Sequence, residues 1–430
     1  MPDEDPREDV VAVRVTAAPA TLELARNRTT RLAAYSGHVP GPLIRANRGD
    51  RLKVHFENRL ADVTTLHFHG IRLPNAMDGV PDVTQPPVPQ GGSFDYEFEL
   101  PDAGLYWYHP HCDTVVQMGN GLYGAILVVD PDEPEDIGDE TVLVLSDVDL
   151  DDDGRIVPPS DDPLDAAIGS EGNVVLVNGR VRPTLEVAEG RRTRLRVLNA
   201  ARARYFRLSI PGRPFLKIGS DGGAIEEPVA VDEPVLVPGE RLDLVLEPLG
   251  VEGTAAELVS LPIARGLPMD PTPEASLLTL RVVRSPLAPS PPLPELSRSI
   301  GAIETATAEE VPIALTMNET ENAWEMGING VPGSHATSIR ARVGTTQTLV
   351  VSNQSSFSHP FHLHGFFFQR LDEAGNVVRP IELKDTIEIP PIGTVKLAVR
   401  YDDRPGMWAF HCHILDHAEA GMMGMLHVEP

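Results

Sequence analysis

The chain has 430 residues, 41% of them apolar, enough to bury the cores of two to four domains. Its formal charge of −27 repels a polyanion and excludes nucleic acid as a partner. No apolar run is long enough to span a bilayer, and the 41 prolines and 36 glycines favour short strands joined by turns over long helices.

The N-terminus, MPDEDPRED, is acidic and does not read as a signal peptide. The expected compartment is periplasmic or extracellular if an export signal has been removed, and cytoplasmic otherwise. Beyond it a segment recurs three times, as GDRLKVHFEN, GRRTRLRVLN and GTTQTLVVSN, with Gly49, Gly190 and Gly344 each nine residues before Asn58, Asn199 and Asn353. Apolar residues alternate inside each copy (Leu52, Val54, Phe56; Leu195, Val197; Leu349, Val351), the pattern of a half-buried strand. A turn signal precedes each, VPGP at 39–42, VNGRVRP at 177–183 and INGVPG at 328–333. The spacing predicts an all-β chain of three Greek-key sandwiches, 1–131, 132–290 and 291–430.

The stretch from Pro131 to Gly154 holds eleven acidic and no basic residues and reads as an exposed connection with a solvated edge. Within it DLDDDG, at 149–154, imitates the start of a calcium-binding loop. The twelfth position is Ser160 rather than Glu, so it reads as an acidic turn. The second junction, SPLAPSPPLPEL at 285–296, should be extended and stiff.

Ten of the fourteen histidines fall in HFHG (67–70), HPH (109–111), HPFHLH (359–364) and HCHILDH (411–417). Residues i and i+2 of a strand share a face, so four His-x-His pairs offer eight imidazoles. Buried together without partners they are costly, and a metal removes that cost. Neutral imidazole suits copper, zinc, iron and nickel, and a thiolate beside it points to a soft, redox-capable metal such as copper. The first and third domains match: GLYWYHPH and GLYGAILV against GMWAFHCH and GMMGMLHV. The middle domain has no such cluster, so it reads as a spacer while its neighbours share a metal site. The third domain differs in having Cys412 for Pro110 and Met422 for Leu122, and it adds His359 and His417. Two His, one Cys and a weak Met are the ligands of a blue-copper site. On a strand Cys412 points away from His411 and His413, so one peptide joins the two sites. His38, His55, His335 and His427 stand alone and read as ordinary histidines.

In these motifs nearly the whole chain resembles the three-domain multicopper oxidases, built of cupredoxin-like domains. The resemblance implies four copper ions: a type 1 copper on His359, Cys412, His417 and Met422; a type 2 copper on His67 and His362; and a type 3 pair on His69, His109, His111, His364, His411 and His413. Residues 1–131 and 291–430 would each supply half of the trinuclear site. Electrons from a small reducing substrate, a phenol, aromatic amine or low-valent metal ion, would pass through Cys412 to reduce dioxygen to water. His417 would be the edge nearest the substrate, and Asp78, in MDGVPD, the acid that relays protons. Many bacterial members carry an acid directly after the type 1 histidine; here Ala418 stands there and the acid is Glu419, its role open. Cys112 reads as a bystander thiol. Met422 implies modest oxidising power. The leading expectation is a laccase-like enzyme, with an oxidase of Cu(I) or Fe(II) as its rival. A two-domain nitrite reductase and a copper-free cupredoxin protein fit the three domains and the full ligand set poorly.

Overall fold

The computed structural model describes residues 1–25, 28–160, 162–266, 271–319, 324–333 and 338–430; His335 lies outside them. The described residues form six sheets, packed in pairs as three cupredoxin-like sandwiches. The first pair runs Arg28–Tyr35, Val10–Ala25, Arg51–Asn58, Ser93–Glu99 against Gly41–Asn47, Gly124–Val129, Gly104–His109, His67–His69. The middle pair has six and five strands between Asp139–Val148 and Ala275–Val283, and the third has six and five between Glu309–Glu319 and Met423–Glu429. No helix among the described residues is long and apolar enough to cross a membrane.

The repeated segment is the centre of each sandwich. Leu52, Val54, Phe56, Leu195, Val197, Leu349 and Val351 are all buried, each contributing about 1.5–3 kcal/mol. The asparagine that ends each copy clamps the chain in the same way. The Oδ1 of Asn58, Asn199 and Asn353 accepts the backbone N–H two residues on. Each Nδ2 donates to a nearby carbonyl (Asp62, Arg204, Phe357) and to a distant one (Val88, Leu236, Ile389). Leaving such a buried group unpaired costs about 1–3 kcal/mol, which accounts for Asn at this position.

Two sequence expectations need correction. The upstream turn of the first domain is not VPGP but Ser36–Gly37, with φ of 49° and 79°, matching Asn178–Gly179 and Asn329–Gly330. Ser36 and the two asparagines each accept a backbone N–H from the neighbouring strand, so the hydroxyl does the amide's work. The acidic stretch is not simply an exposed connection. Asp139–Val148 is an interior strand, parallel to Thr193–Asn199. Arginines neutralise the acids: on that partner Arg194 holds Glu133 at 2.6 Å and Arg196 holds Glu140 at 2.6 Å, and just beyond it Arg204 holds buried Asp147 at 2.9 Å. DLDDDG does form a turn, with Asp151 accepting the N–H groups of Asp153 and Arg155. The proline-rich segment is irregular chain fastened along the middle domain, where Arg192 donates to Pro291 and Ser290 accepts from Arg192.

Core packing decides which domains meet. Buried residues of the first and third domains form one continuous cluster, to which the middle domain adds Ala167, Ala203, Tyr205 and Val237; the middle domain also keeps a core of its own and shares smaller apolar clusters with the first. The histidine motifs lie where the first and third cores join.

Candidate metal centre

His67–His69 pairs antiparallel with Gly104–His109, setting His67 opposite His109. In the third domain His359–Leu363 pairs with Gly406–Cys412, setting His362 opposite His411. His111, His364 and His413 lie just past the strand ends, and main-chain bonds hold the latter two, His364 to Ala409 and His413 to Pro360. The two halves interleave: the His67 and His364 rings stack at 4.0 Å, and those of His69 and His362 at 3.7 Å. All eight histidines are at most 8% exposed. Burial, the largest cause, lowers the pKa of His69, His109, His111, His362, His364, His411 and His413, for His111 to about 3, so these rings are neutral and carry free lone pairs.

The nitrogens divide into held and free. Through Nδ1, His67 donates to the Asp78 carbonyl, His109 to Pro110, His362 to Asp385, His411 to Cys412, and His364 to the Asp78 carboxylate at 2.9 Å. The Nε2 atoms of His67, His109, His362 and His413 and the Nδ1 of His69 are buried without a partner. Unpaired buried nitrogens are expensive, and metal ions satisfy them. Ligand atoms of His67, His69 and His109, of His67, His362 and His364, and of His111, His364 and His411 lie within 4.8 Å of one another. A neutral imidazole cage with its outer nitrogens tied down fits the three-copper site.

A second cluster lies on the other face of the Cys412 strand. Cys412 Sγ is 3.5 Å from both His359 Nδ1 and His417 Nδ1, which are 3.0 Å apart, and none of the three residues is exposed. Ser355 holds His359 Nε2 at 2.8 Å. Burial pushes the Cys412 thiol well above the usual range and His417 down to about 4. Proton loss from such a thiol requires a cation beside it, as a copper ligand would have. Met422 is fully buried, its N–H donating to the His417 carbonyl and its carbonyl accepting from Cys412.

The outer edge of His417 is covered by the middle domain. Its Nε2 donates to the carbonyl of Ala167, 3.0 Å away in the short helix Pro163–Ile168 of the middle domain. Beside that cover lies a cavity of about 1090 Å³, bordered by Ile168, Gly169, Val115, Val116, Ile156 and Arg202. Asp78, 1% exposed, accepts from His364 and faces His67 at 3.3 Å. Burial alone would raise its carboxyl, but the N–H groups of His364 and His67 turned toward it lower it. Glu419 accepts from Thr114 Oγ1 and Val115 N–H at the start of the helix Thr114–Gly119, tying the third domain to the first. Cys112 is buried in irregular chain after His111, and burial pushes its thiol up to about 11. His38 and His55 lie apart from both clusters, His55 against Asp95.

Sequence reading missed Asp385, Arg241 and Asp416. Asp385 accepts from His69 Nε2 at 3.0 Å. Arg241 holds Asp385, and Asp416 clamps Arg202 of the middle domain. Each is an acid or base that local sequence does not mark out, made special by contacts from other domains.

Three sandwiches, an imidazole cage across the first and third, and a thiolate site one residue away define a copper-dependent oxidase. Models of the multicopper oxidase family match residues 16–133, 139–252 and 306–430. The chain is 31% identical to multicopper oxidase MmcO of Mycobacterium tuberculosis over 96% of its length and 86% of that protein. It is 31% identical to laccase-1 of Fomitopsis schrenkii over 92% and 82%. The structure of a Campylobacter jejuni multicopper oxidase, described as a metallo-oxidase, superposes with a TM-score of 0.87 at 28% identity, covering 100% of this chain and 93% of that one. The chain belongs to the multicopper oxidase family, which carries four coppers.

Proposed function

We propose that this enzyme is a laccase-type oxidase of phenols or aromatic amines. His359, Cys412, His417 and Met422 hold the type 1 copper, His67 and His362 the type 2 copper, and His69, His109, His111, His364, His411 and His413 the type 3 pair. Bound copper supplies one-electron acceptance at the first site and the reduction of dioxygen at the second. The rest is done by the chain. Ala167 fixes the His417 ring, and the Cys412 backbone links the two sites through His411 and His413. Asp78 orients His67 and His364, and it is the acid we assign to proton supply.

The observation that carries the substrate class is the cavity beside Ala167. Its walls include Val115, Val116, Ile156, Val157, Pro158 and Ile168, and no methionine is among the described residues lining it. The acids nearest the site are already neutralised: Asp147 by Arg204, Glu171 by Arg204 and Arg265, Asp416 by Arg202. Apolar walls suit an aromatic donor; a soft metal ion needs thioether or free carboxylate ligands. Oxidation of Cu(I) or Fe(II) is the second reading, favoured by the net charge of −27 and by Asp149 and Asp165 at the cavity, which form no ion pair among the described residues. Dioxygen uptake with a methoxyphenol and with Cu(I) as parallel donors separates them. Faster turnover of the phenol is expected; faster turnover of Cu(I) would reverse the assignment.

Met422→Leu should keep the blue colour and raise the type 1 potential by roughly 60 mV, equivalent to tenfold in a one-electron equilibrium. An unchanged potential in a redox titration would show that Met422 is not the axial ligand.

A further inference from the structure

The middle domain supplies none of the imidazoles, yet one of its turns reaches the back of the cage. Between the strands Val235–Leu236 and Arg241–Leu246 the chain runs Val237–Pro238–Gly239–Glu240. Gly239 has φ of 89°, and a Cβ there would stand 3.0 Å from the His413 ring and 3.1 Å from His69. The turn is therefore laid directly on two of the imidazoles, and Arg241 follows it inward.

Arg241 is completely buried, and all five of its N–H donors are used. Nε donates to Leu105 of the first domain at 3.0 Å. Nη1 donates to Gly239 at 2.9 Å and to Asp385 Oδ1 at 2.7 Å. Nη2 donates to the Asp221 carbonyl at 3.0 Å and to Asp385 Oδ2 at 2.5 Å. One guanidinium thus joins all three domains, in the two-pronged geometry that only arginine offers a carboxylate. Gly70, the last residue of HFHG, leaves room for it: at its φ of 86°, a Cβ would overlap the Arg241–Asp385 pair.

The consequence falls on His69. His67, His109, His362, His364 and His411 are each held through Nδ1. His69 is reversed: its Nε2 faces Asp385 Oδ1 at 3.0 Å, and its Nδ1 is buried without a partner. Asp385 might be read as a ligand itself, since it groups with His69 and His362. Both its oxygens are taken by the Arg241 fork, so it acts as an outer partner. We infer that Arg241 is a positioning residue for the trinuclear site: it pins Asp385 so that His69 presents Nδ1 to the metal. The middle domain is then a working part of the copper site. This rests on the ligand set proposed above, and the nature of the reducing substrate plays no part in it.

The test uses the full copper-loaded chain with three variants: Arg241→Met, Arg241→Lys and Asp385→Asn. Copper per chain is followed against increasing chelator, together with the blue absorption of the Cys412 site. Arg241→Met and Asp385→Asn should keep the blue absorption per chain and hold trinuclear copper about 10–100-fold less tightly, the usual effect of losing an outer partner of a ligand. Lysine, which keeps the charge without the fork, should recover only part of the loss. Retention equal to the parent in Asp385→Asn and in either Arg241 variant would overturn the inference. So would a loss of both copper sites in equal proportion, which marks a general structural role. If Arg241→Met does not fold, Asp385→Asn, which keeps size and an acceptor oxygen, decides. A parent chain that held copper only at the blue site would instead refute the ligand set itself.

Discussion

Cys412→Ser removes the blue colour and lowers turnover below about 1% of the parent, a barrier increase of about 2.7 kcal/mol or more, while much of the histidine cage stays loaded. Sγ is the only sulfur placed 3.5 Å from both His359 and His417 among the described contacts, and a serine oxygen is a poor, hard replacement. The cage stays loaded because His411 and His413 are held by main-chain bonds and by the opposite domain, not by the Cys412 side chain. Elemental analysis beside visible absorption checks this. Parent-rate turnover in the variant would show that electrons do not enter through Cys412.

Asp78→Asn is expected to reduce kcat about 10–100-fold with KM for the reducing donor unchanged. One carboxylate serves two histidines, accepting from His364 at 2.9 Å and facing His67 at 3.3 Å, and its backbone carbonyl accepts from His67 at 2.6 Å. An amide keeps the carbonyl contact but loses the charge and turns a donor toward one ring, so His364 loses its fixed orientation. The Cys412 site is untouched, and its colour and reduction by the donor should match the parent. Steady-state kinetics with dioxygen and donor varied separately check the split. A kcat within twofold of the parent, or a defect confined to KM for the donor, would contradict the role given to Asp78.

The His-x-His pairs were legible because strand periodicity is local: two residues apart means one face, whatever the rest of the fold does. The contrast of Cys412 with Pro110 and of Met422 with Leu122 was legible because the first and third domains repeat each other. What was hidden came from elsewhere in the chain. The cover on His417 is Ala167, 250 residues away. The Arg241–Asp385 pair spans 144 residues, and nothing in KDTIEI shows that its aspartate is 1% exposed. The acidic strand Asp139–Val148 was misread for a related reason: a run of carboxylates implies solvent unless the arginines of a neighbouring strand are known. Local pattern picked out the candidate ligands, and long-range packing chose the residues that hold their outer nitrogens.

The most direct test of two coupled copper sites is the stoichiometry of dioxygen use by the four-copper protein with a methoxyphenol, with hydrogen peroxide assayed in the same vessel. The account predicts one dioxygen consumed for every four electrons withdrawn, with no peroxide released. One dioxygen for every two electrons, with peroxide accumulating, would mean that the histidine cage does not receive electrons from the Cys412 site as described.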